Sequence, residues 1–430
     1  MKNFKDSGIE WLGEIPEHWK LIKCKNFFVL KSIPIGDLWN KTKLLSLTLN
    51  GVIERDINNP EGKFPSDFST YQIVKEGDLI FCLFDVAETP RTIGLSKLNG
   101  MITSAYTIFE IKNQEKRFLE YFFIDLDNRK NLKFLYRGLR NTISKEDLLN
   151  LKIPLPPLKE QEQIANFLDE KCEQIKNFIE KKEKLITLLK EQKQAFINKA
   201  TTKGLDKNVN FKDSGIEYLG EIPQHWEVKK LKMLFTLGNG LNITKADFVS
   251  YGIPCVSYGE IHSKYPCRLN TTIHTLPFVS KTYLADKPQS LLQKGDFVFV
   301  DTSEDIEGSG NFTSIQSDTP IFAGYHTIIL KYKGKINSLY FSFLFDSIFT
   351  RNQIRKEVCG VKVFSITKSI LKEVQCLIPP LKEQEQIANF LDEKCEKIDL
   401  LIEKTKKQIK LIKEYKTTLI NQAVCGRISL

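Results

Sequence analysis

The side chains able to do acid–base, metal or nucleophilic chemistry are few and scattered. The five histidines are His18, His225, His262, His274 and His326. His18 and His225 each precede a tryptophan, in segments that read as packing units. His262 with Cys255 and Cys267 matches no zinc spacing, so a packing or surface role is the better reading. Glu304, Asp305 and Glu307 read as a solvated loop rather than a general acid–base pair. The nine cysteines are Cys24, Cys82, Cys172, Cys255, Cys267, Cys359, Cys376, Cys395 and Cys425. None forms a C-x-x-C pair, and they are expected to be reduced thiols acting as small apolar side chains. There is no G-x-x-x-x-G-K-[ST] loop, no G-x-G-x-x-G, no H-E-x-x-H and no Asn/Asp-Pro-Pro-aromatic motif. The expectation is a chain without catalytic residues, metal or cofactor of its own.

Binding chemistry is better represented. Basic residues interleave with polar and aromatic ones at Lys41, Lys43 and Arg91, along Tyr136-Arg137-Gly138-Leu139-Arg140-Asn141, and at Arg351, Arg355 and Lys362. Arginine beside asparagine can reach both phosphates and base edges. The candidate DNA contacts are therefore Lys41, Lys43, Arg91, Arg137, Arg140, Asn141, Arg351, Arg355 and Lys362. Taken singly, each also reads as an ordinary solvated side chain. The chain carries 63 Lys+Arg against 53 Asp+Glu, a formal net charge of +10. That excess permits a polyanionic partner without requiring one.

Those residues must be positioned by a chain of 430 residues, too long for one ordinary domain. Apolar residues make up 41% and charged residues 27%, which excludes a disordered chain. The start, MKNFKDSGIE, lacks an apolar core, and no stretch approaches the ~20 apolar residues of a membrane span. Neither secretion nor a membrane partner is expected, and the protein is expected to be cytoplasmic.

The chain is written twice. Residues 3–20 read NFKDSGIEWLGEIPEHWK and residues 210–227 read NFKDSGIEYLGEIPQHWE, differing at three positions. Residues 156–173, PPLKEQEQIANFLDEKCE, recur without change at 379–396. Between these blocks lie divergent segments, Leu21–Lys152 and Val228–Gln375. Within them, Gly77-Asp78 and Gly295-Asp296 each look like a turn feeding a buried strand. The Phe- and Ile-rich runs suit a mixed domain, so the fold class is α/β (α+β). The predicted domains are 1–152 and 210–375, each a globular domain opened by its repeated segment. Helical segments occupy 153–209 and 376–430. A fragment spanning Met1–Leu155 is expected to fold alone.

The runs Lys159–Lys199 and Lys382–Gln422 contain no Pro or Gly and are dense in helix formers. Each would make a rod of ~60 Å. Prolines precede them, and Gly204 and Gly426 follow. Heptad rows run through Leu168, Ile175, Ile179, Ile186 and Leu189, and through Leu391, Ile398, Ile402, Ile409 and Ile412. Such a seam needs a partner. An intramolecular antiparallel pair, with a globular domain at each end, is the expected arrangement.

The two blocks and their recurrence after a variable domain resemble the DNA-specificity subunit of type I restriction–modification systems. The resemblance covers the whole chain, except that the variable segments match nothing recognisable. It implies two target-recognition domains, each reading half of a bipartite, asymmetric site in double-stranded DNA, with the helices setting the spacer. It implies a prokaryotic, non-catalytic subunit that docks two modification (methyltransferase) subunits and further restriction (translocase/nuclease) subunits. S-adenosylmethionine, ATP and Mg2+ would belong to those partners. Two other readings compete: a stand-alone nuclease with an unrecognised site, and a coiled-coil scaffold without a DNA role.

Overall fold

A computed structural model describes residues 3–56, 67–265, 267–358, 360 and 363–428. The chain divides into two compact units. The first joins residues 1–183 to 406–430, and the second is 184–405. Each unit therefore holds one globular domain and one stretch of each long helix.

In the first unit, β1 (Phe28–Lys31), β2 (Asp78–Phe81), β3 (Ile93–Leu95) and β4 (Thr107–Ile111) form an antiparallel sheet in the order β1-β4-β2-β3. All four residues of β2 are buried. Its start is set by Gly77, whose φ of 84° suits glycine, and by Asp78 Oδ2, which accepts from the Lys75 amide at 2.8 Å. Helix α1 (Lys116–Arg129) buries Phe118, Leu119, Phe122, Phe123 and Leu126, the one-sided spacing of an amphipathic helix. A second sheet, in which 44–48 runs parallel to 100–102, stands beside the first. The long helix α2 (Leu158–Lys203) begins here.

The second unit repeats this plan with different residues. Its sheet contains β5 (Phe235–Asn239), β6 (Cys267–Leu269), β7 (Phe297–Val300), β8 (Phe312–Ile315) and β9 (Thr327–Tyr332), in the order β5-β9-β7-β8-β6. The first four positions reproduce β1-β4-β2-β3, and β6 adds a parallel edge strand. The buried strand β7 again follows a left-handed glycine, Gly295 at φ 93°, and Asp296 Oδ2 accepts from the Gln293 amide at 2.9 Å. The aromatic-rich stretch Leu339–Phe345 lies in helix α3 (Ser338–Asp346), followed by α4 (Ile348–Glu357). Strand pairs 253–256 with 321–323 (parallel) and 291–292 with 321–323 (antiparallel) repeat the other sheet. The second long helix is α5 (Leu381–Val424).

The repeated blocks join each domain to its helices. In the first unit Trp19 is fully buried, and His18 Nε2 lies 2.7 Å from Glu160 Oε2 at the start of α2. The same indole packs beside Gly426, at the end of α5. In the second unit Trp226 is fully buried, and His225 Nε2 lies 2.6 Å from Glu383 Oε2 at the start of α5. There the indole packs beside Gly204, at the end of α2. In each unit, then, the start of one helix lies beside the end of the other, as antiparallel packing requires.

Side-chain packing agrees within each unit. Leu168 and Ile175 share a core with Leu419 and Ile420, and Ile179 and Ile412 pack against it. Leu391 and Cys395 share a core with Ile197 and Ala200, and the Phe196 and Phe390 rings meet edge to face at 6.3 Å. Ile398, Ile402 and Ile409 are buried, while Ile186 and Leu189 are half-buried.

These cores also contain the domains. Leu12, Trp19, Phe118 and Phe122 belong to the same cluster as Ile164, Leu168, Leu419 and Val424. The fragment Met1–Leu155 would keep most of that cluster but lose the helix residues Ile164, Leu168, Ile175, Leu419 and Val424 that cover it, which counts against its folding alone.

Candidate nucleic-acid interface

In the first unit the candidate residues gather where the chain leaves β2 and where segment 136–142 doubles back. Asp85 has a left-handed φ of 48°, unusual for a side chain larger than glycine. Arg140 donates to both Asp85 carboxylate oxygens, the Nε bond measuring 3.0 Å, and this pairing keeps the Asp85 carboxyl below its ordinary range. The Arg140 guanidinium also lies over the Phe84 ring, 5.2 Å from its centroid, and Phe84 stacks on Tyr106. Asn141 donates to Glu88 at 3.0 Å, and Arg137 donates to Asp147 at 2.8 Å. Arg137, Arg140 and Asn141 are thus brought together on one exposed face.

The other candidates of this unit fare differently. Lys43, just before strand 44–48, pairs with Glu54 at 2.7 Å with both side chains exposed, and Lys41 is exposed at the end of a short helical turn. Arg91 faces inward, its side chain 15% exposed, with Asp127 at 3.5 Å. Asp127 also takes the Thr92 amide at 2.9 Å and Lys130 at 2.8 Å. Lys130 in turn donates to the carbonyls of Val86 and Thr89. Arg91 is therefore half-buried beside the frame that Asp127 and Lys130 build beneath the loop, apart from the exposed turn that carries Arg137 and Arg140.

In the second unit Arg351 is likewise internal, 14% exposed. It donates to Asp346 through Nη2 at 2.8 Å and to Asn311 at 3.0 Å. Asn311 continues the network to His262, which lies 2.9 Å from the Thr302 carbonyl. Arg355 donates to the Glu307 carbonyl, and burial, with Arg351 nearby, pulls its guanidinium below its ordinary range. These two arginines brace the 301–311 loop against α4. Lys362 lies outside the described residues.

Sequence reasoning missed the equivalent face here. His326 adopts φ 54° and stands 3.1 Å from Asp301, with Tyr258 and Tyr325 packed around its ring. It precedes β9 as Tyr106 precedes β4. The signal was the duplicated strand pair, since the residues between the strands share no motif. Two anchors to the helices were also missed. Arg117 and Tyr121 both bind Asp169 at 2.7 Å in the first unit, and Arg268 binds Asp392 at 2.5 Å in the second. Among the described residues no group of three or more His, Cys, Asp or Glu side chains could hold a metal ion. Among them, too, no helix is long and apolar enough to cross a membrane.

Two copies of one fold, each with a loop face of polar, charged and aromatic side chains, define a duplicated recognition protein. The family profile described as the type I restriction modification DNA specificity domain matches residues 91–199 and 223–411, more than half of the chain, and the chain belongs to that family. The type I restriction enzyme MjaVIII specificity subunit of Methanocaldococcus jannaschii is 29% identical over 368 residues, covering 83% of this chain and 80% of that protein. The putative MjaX specificity subunit of the same organism is 26% identical, covering 99% of this chain and 97% of that one. Among solved structures, a chain from a type I R-M system complex superposes with a TM-score of 0.72 at 14% identity, covering 96% of this chain and 99% of the other. The HsdS subunit of Thermoanaerobacter tengcongensis gives 0.54 at 15% identity, covering 96% and 98%. These two likenesses bear on the fold.

Proposed function

We propose that this chain, as the DNA-recognition subunit of a type I restriction–modification system, reads a bipartite target with one half-site per domain. The observation that carries the reading is the pairing of shared topology with unshared loops. The strand order β1-β4-β2-β3 recurs as β5-β9-β7-β8, yet Asp85 and Arg140 stand on one face and Asp301 and His326 on the other. Frames of shared strand order holding different donors and acceptors suit two different base sequences.

The helices in this reading set the spacer. The repeated segments offer two alike surfaces, which suits two copies of a modification subunit on one chain. Adenine methylation, DNA translocation and cleavage would lie with modification and restriction subunits, which would hold S-adenosylmethionine, ATP and Mg2+. The chain itself would bind DNA and catalyse nothing.

The test exchanges residues 21–152 for those of a homologous chain and maps methyladenine across the host genome. One half-site should change and the other should stay. A change in both would overturn independent reading. Methylation or cleavage by the purified chain alone, given Mg2+, ATP and S-adenosylmethionine, would overturn the non-catalytic assignment.

A further inference from the structure

We infer that Leu139 is a wedge that enters the DNA stack within the half-site read by the first domain. The inference rests on the DNA-recognition reading above. Leu139 is 104% exposed, more than any other large apolar side chain among the described residues. Exposed leucines are common and taken singly mean little. This one sits at the tip of a turn that is fixed from several sides.

Arg137 and Thr142 exchange backbone hydrogen bonds of 2.9 and 3.0 Å, closing the turn. Gly138 and Asn141 both adopt left-handed backbone, φ 66° and 45°. The Asp85 amide donates to the Arg140 carbonyl at 2.8 Å, and the Arg140 side chain returns to the Asp85 carboxylate. Asn141 is tied to Glu88. A strained turn held this firmly, with an apolar tip and no packing partner for it, is the kind of feature kept for contact with another molecule.

The flanking charge indicates which molecule. Arg137 and Arg140 are 69% and 67% exposed, whereas their partners Asp147 and Asp85 are 21% and 38% exposed. The two guanidinium groups are therefore more exposed than the aspartates they pair with, while the Glu88 carboxylate beside Asn141 is exposed as well. A guanidinium carries five N–H donors, so Arg140 can keep Asp85 and still present N–H groups to a phosphate. An apolar side chain between arginines matches the way proteins pry a base step apart while holding the backbone on either side. A protein partner would be met by the same leucine, but two outward guanidinium groups favour a polyanion.

The test uses the chain assembled with its modification subunits and a duplex carrying the target found by methylome mapping. 2-Aminopurine is placed in turn at each step of the first domain's half-site. The wild-type complex should raise fluorescence at one step. Leu139→Ala should abolish that rise and weaken specific binding roughly tenfold or more, the worth of burying a leucine. Binding to unrelated DNA should stay within twofold, and Leu139→Met should restore the signal. Because the side chain is fully exposed, folding is not at risk. Absence of any rise with bound wild-type complex overturns insertion, as does an unchanged Leu139→Ala. Loss of modification subunits from the Leu139→Ala complex assigns the tip to a protein contact and also overturns it. Wild-type complex that cannot distinguish its target from unrelated DNA overturns the DNA-recognition reading itself.

Discussion

Gly426 closes on the indole of Trp19: a methyl group at Gly426 would stand 2.9 Å from Trp19 Cζ2 and clash with Pro16 as well. Its φ of 72° adds a backbone cost for any other residue. Gly204 has the same φ beside Trp226 but more room, with 3.3 Å to the ring and 3.1 Å to the Glu383 carboxylate. Gly426→Ala should therefore destabilise the first unit by about 3 kcal/mol, and Gly204→Ala the second by only ~1–2 kcal/mol. Denaturant unfolding of the two variants checks the order.

The two tryptophans should also differ. Trp226 Nε1 donates to Glu383 at 3.0 Å, whereas Trp19 Nε1 is buried without a partner among the described residues. Both would lose ring area on change to phenylalanine. Only Trp226→Phe also removes a hydrogen bond to a charged group, so it should cost ~1–2 kcal/mol more than Trp19→Phe. Equal costs in urea melts would mean that the Glu383 bond adds nothing.

Glu120 gives a pH signature. Burial raises its carboxyl above the ordinary value, partly offset by the Leu95 amide, which donates to it at 3.0 Å. The folded state then holds the proton more tightly than the unfolded chain. Stability from this group is complete below the unfolded value and falls as pH rises through the raised one. Glu120→Gln can still accept from Leu95, so the variant should gain on wild type as pH rises from 4 towards neutrality. Thermal melts across that range should show the curves diverging; parallel curves would exclude the effect.

Much of this architecture is legible in the residues because periodicity and duplication are local signals. The heptad rows mark Leu168, Ile175, Leu391 and Ile398, all buried. They also pass through Lys193 and Thr405, and there the structure adds what periodicity omits: Lys193 extends to Asp399 at 2.6 Å, and buried Thr405 bonds back to the Leu401 carbonyl. Ile164 and Ile197 lie off the rows yet are buried, because a domain packs on the helix there. The interface was harder to read. Arg91 and Arg140 look alike in sequence, and only the fold sets Asp127 beneath one and an exposed turn around the other.

Within the first unit the seam can be tested by coupling. Leu168 and Leu419 share one core, so Leu168→Ala and Leu419→Ala should each cost ~2–5 kcal/mol. The double variant should cost at least 0.5 kcal/mol less than their sum, since the second truncation opens a cavity already present. Strict additivity in denaturant melts would place the two side chains in separate environments. Cysteines introduced at neighbouring positions should likewise crosslink within one chain.

The spacer is the hardest property to reach from static structure, and the helices make it testable. Both run without proline or glycine, so a seven-residue insertion in each keeps the heptad rows in phase. Placed after Glu183 in α2 and after Thr405 in α5, the insertions fall where the chain passes between the two units. Neither domain loses a contact residue to them. Seven residues lengthen a helix by ~10 Å, about three base pairs of duplex at 3.4 Å each. Methylome mapping should then return both half-sites unchanged, separated by about three more base pairs. Insertion in one helix alone should break the pairing and abolish methylation. If the doubly extended chain stays active with the original spacer, the helices do not measure the distance, and spacing must be set by the subunits that bind the chain.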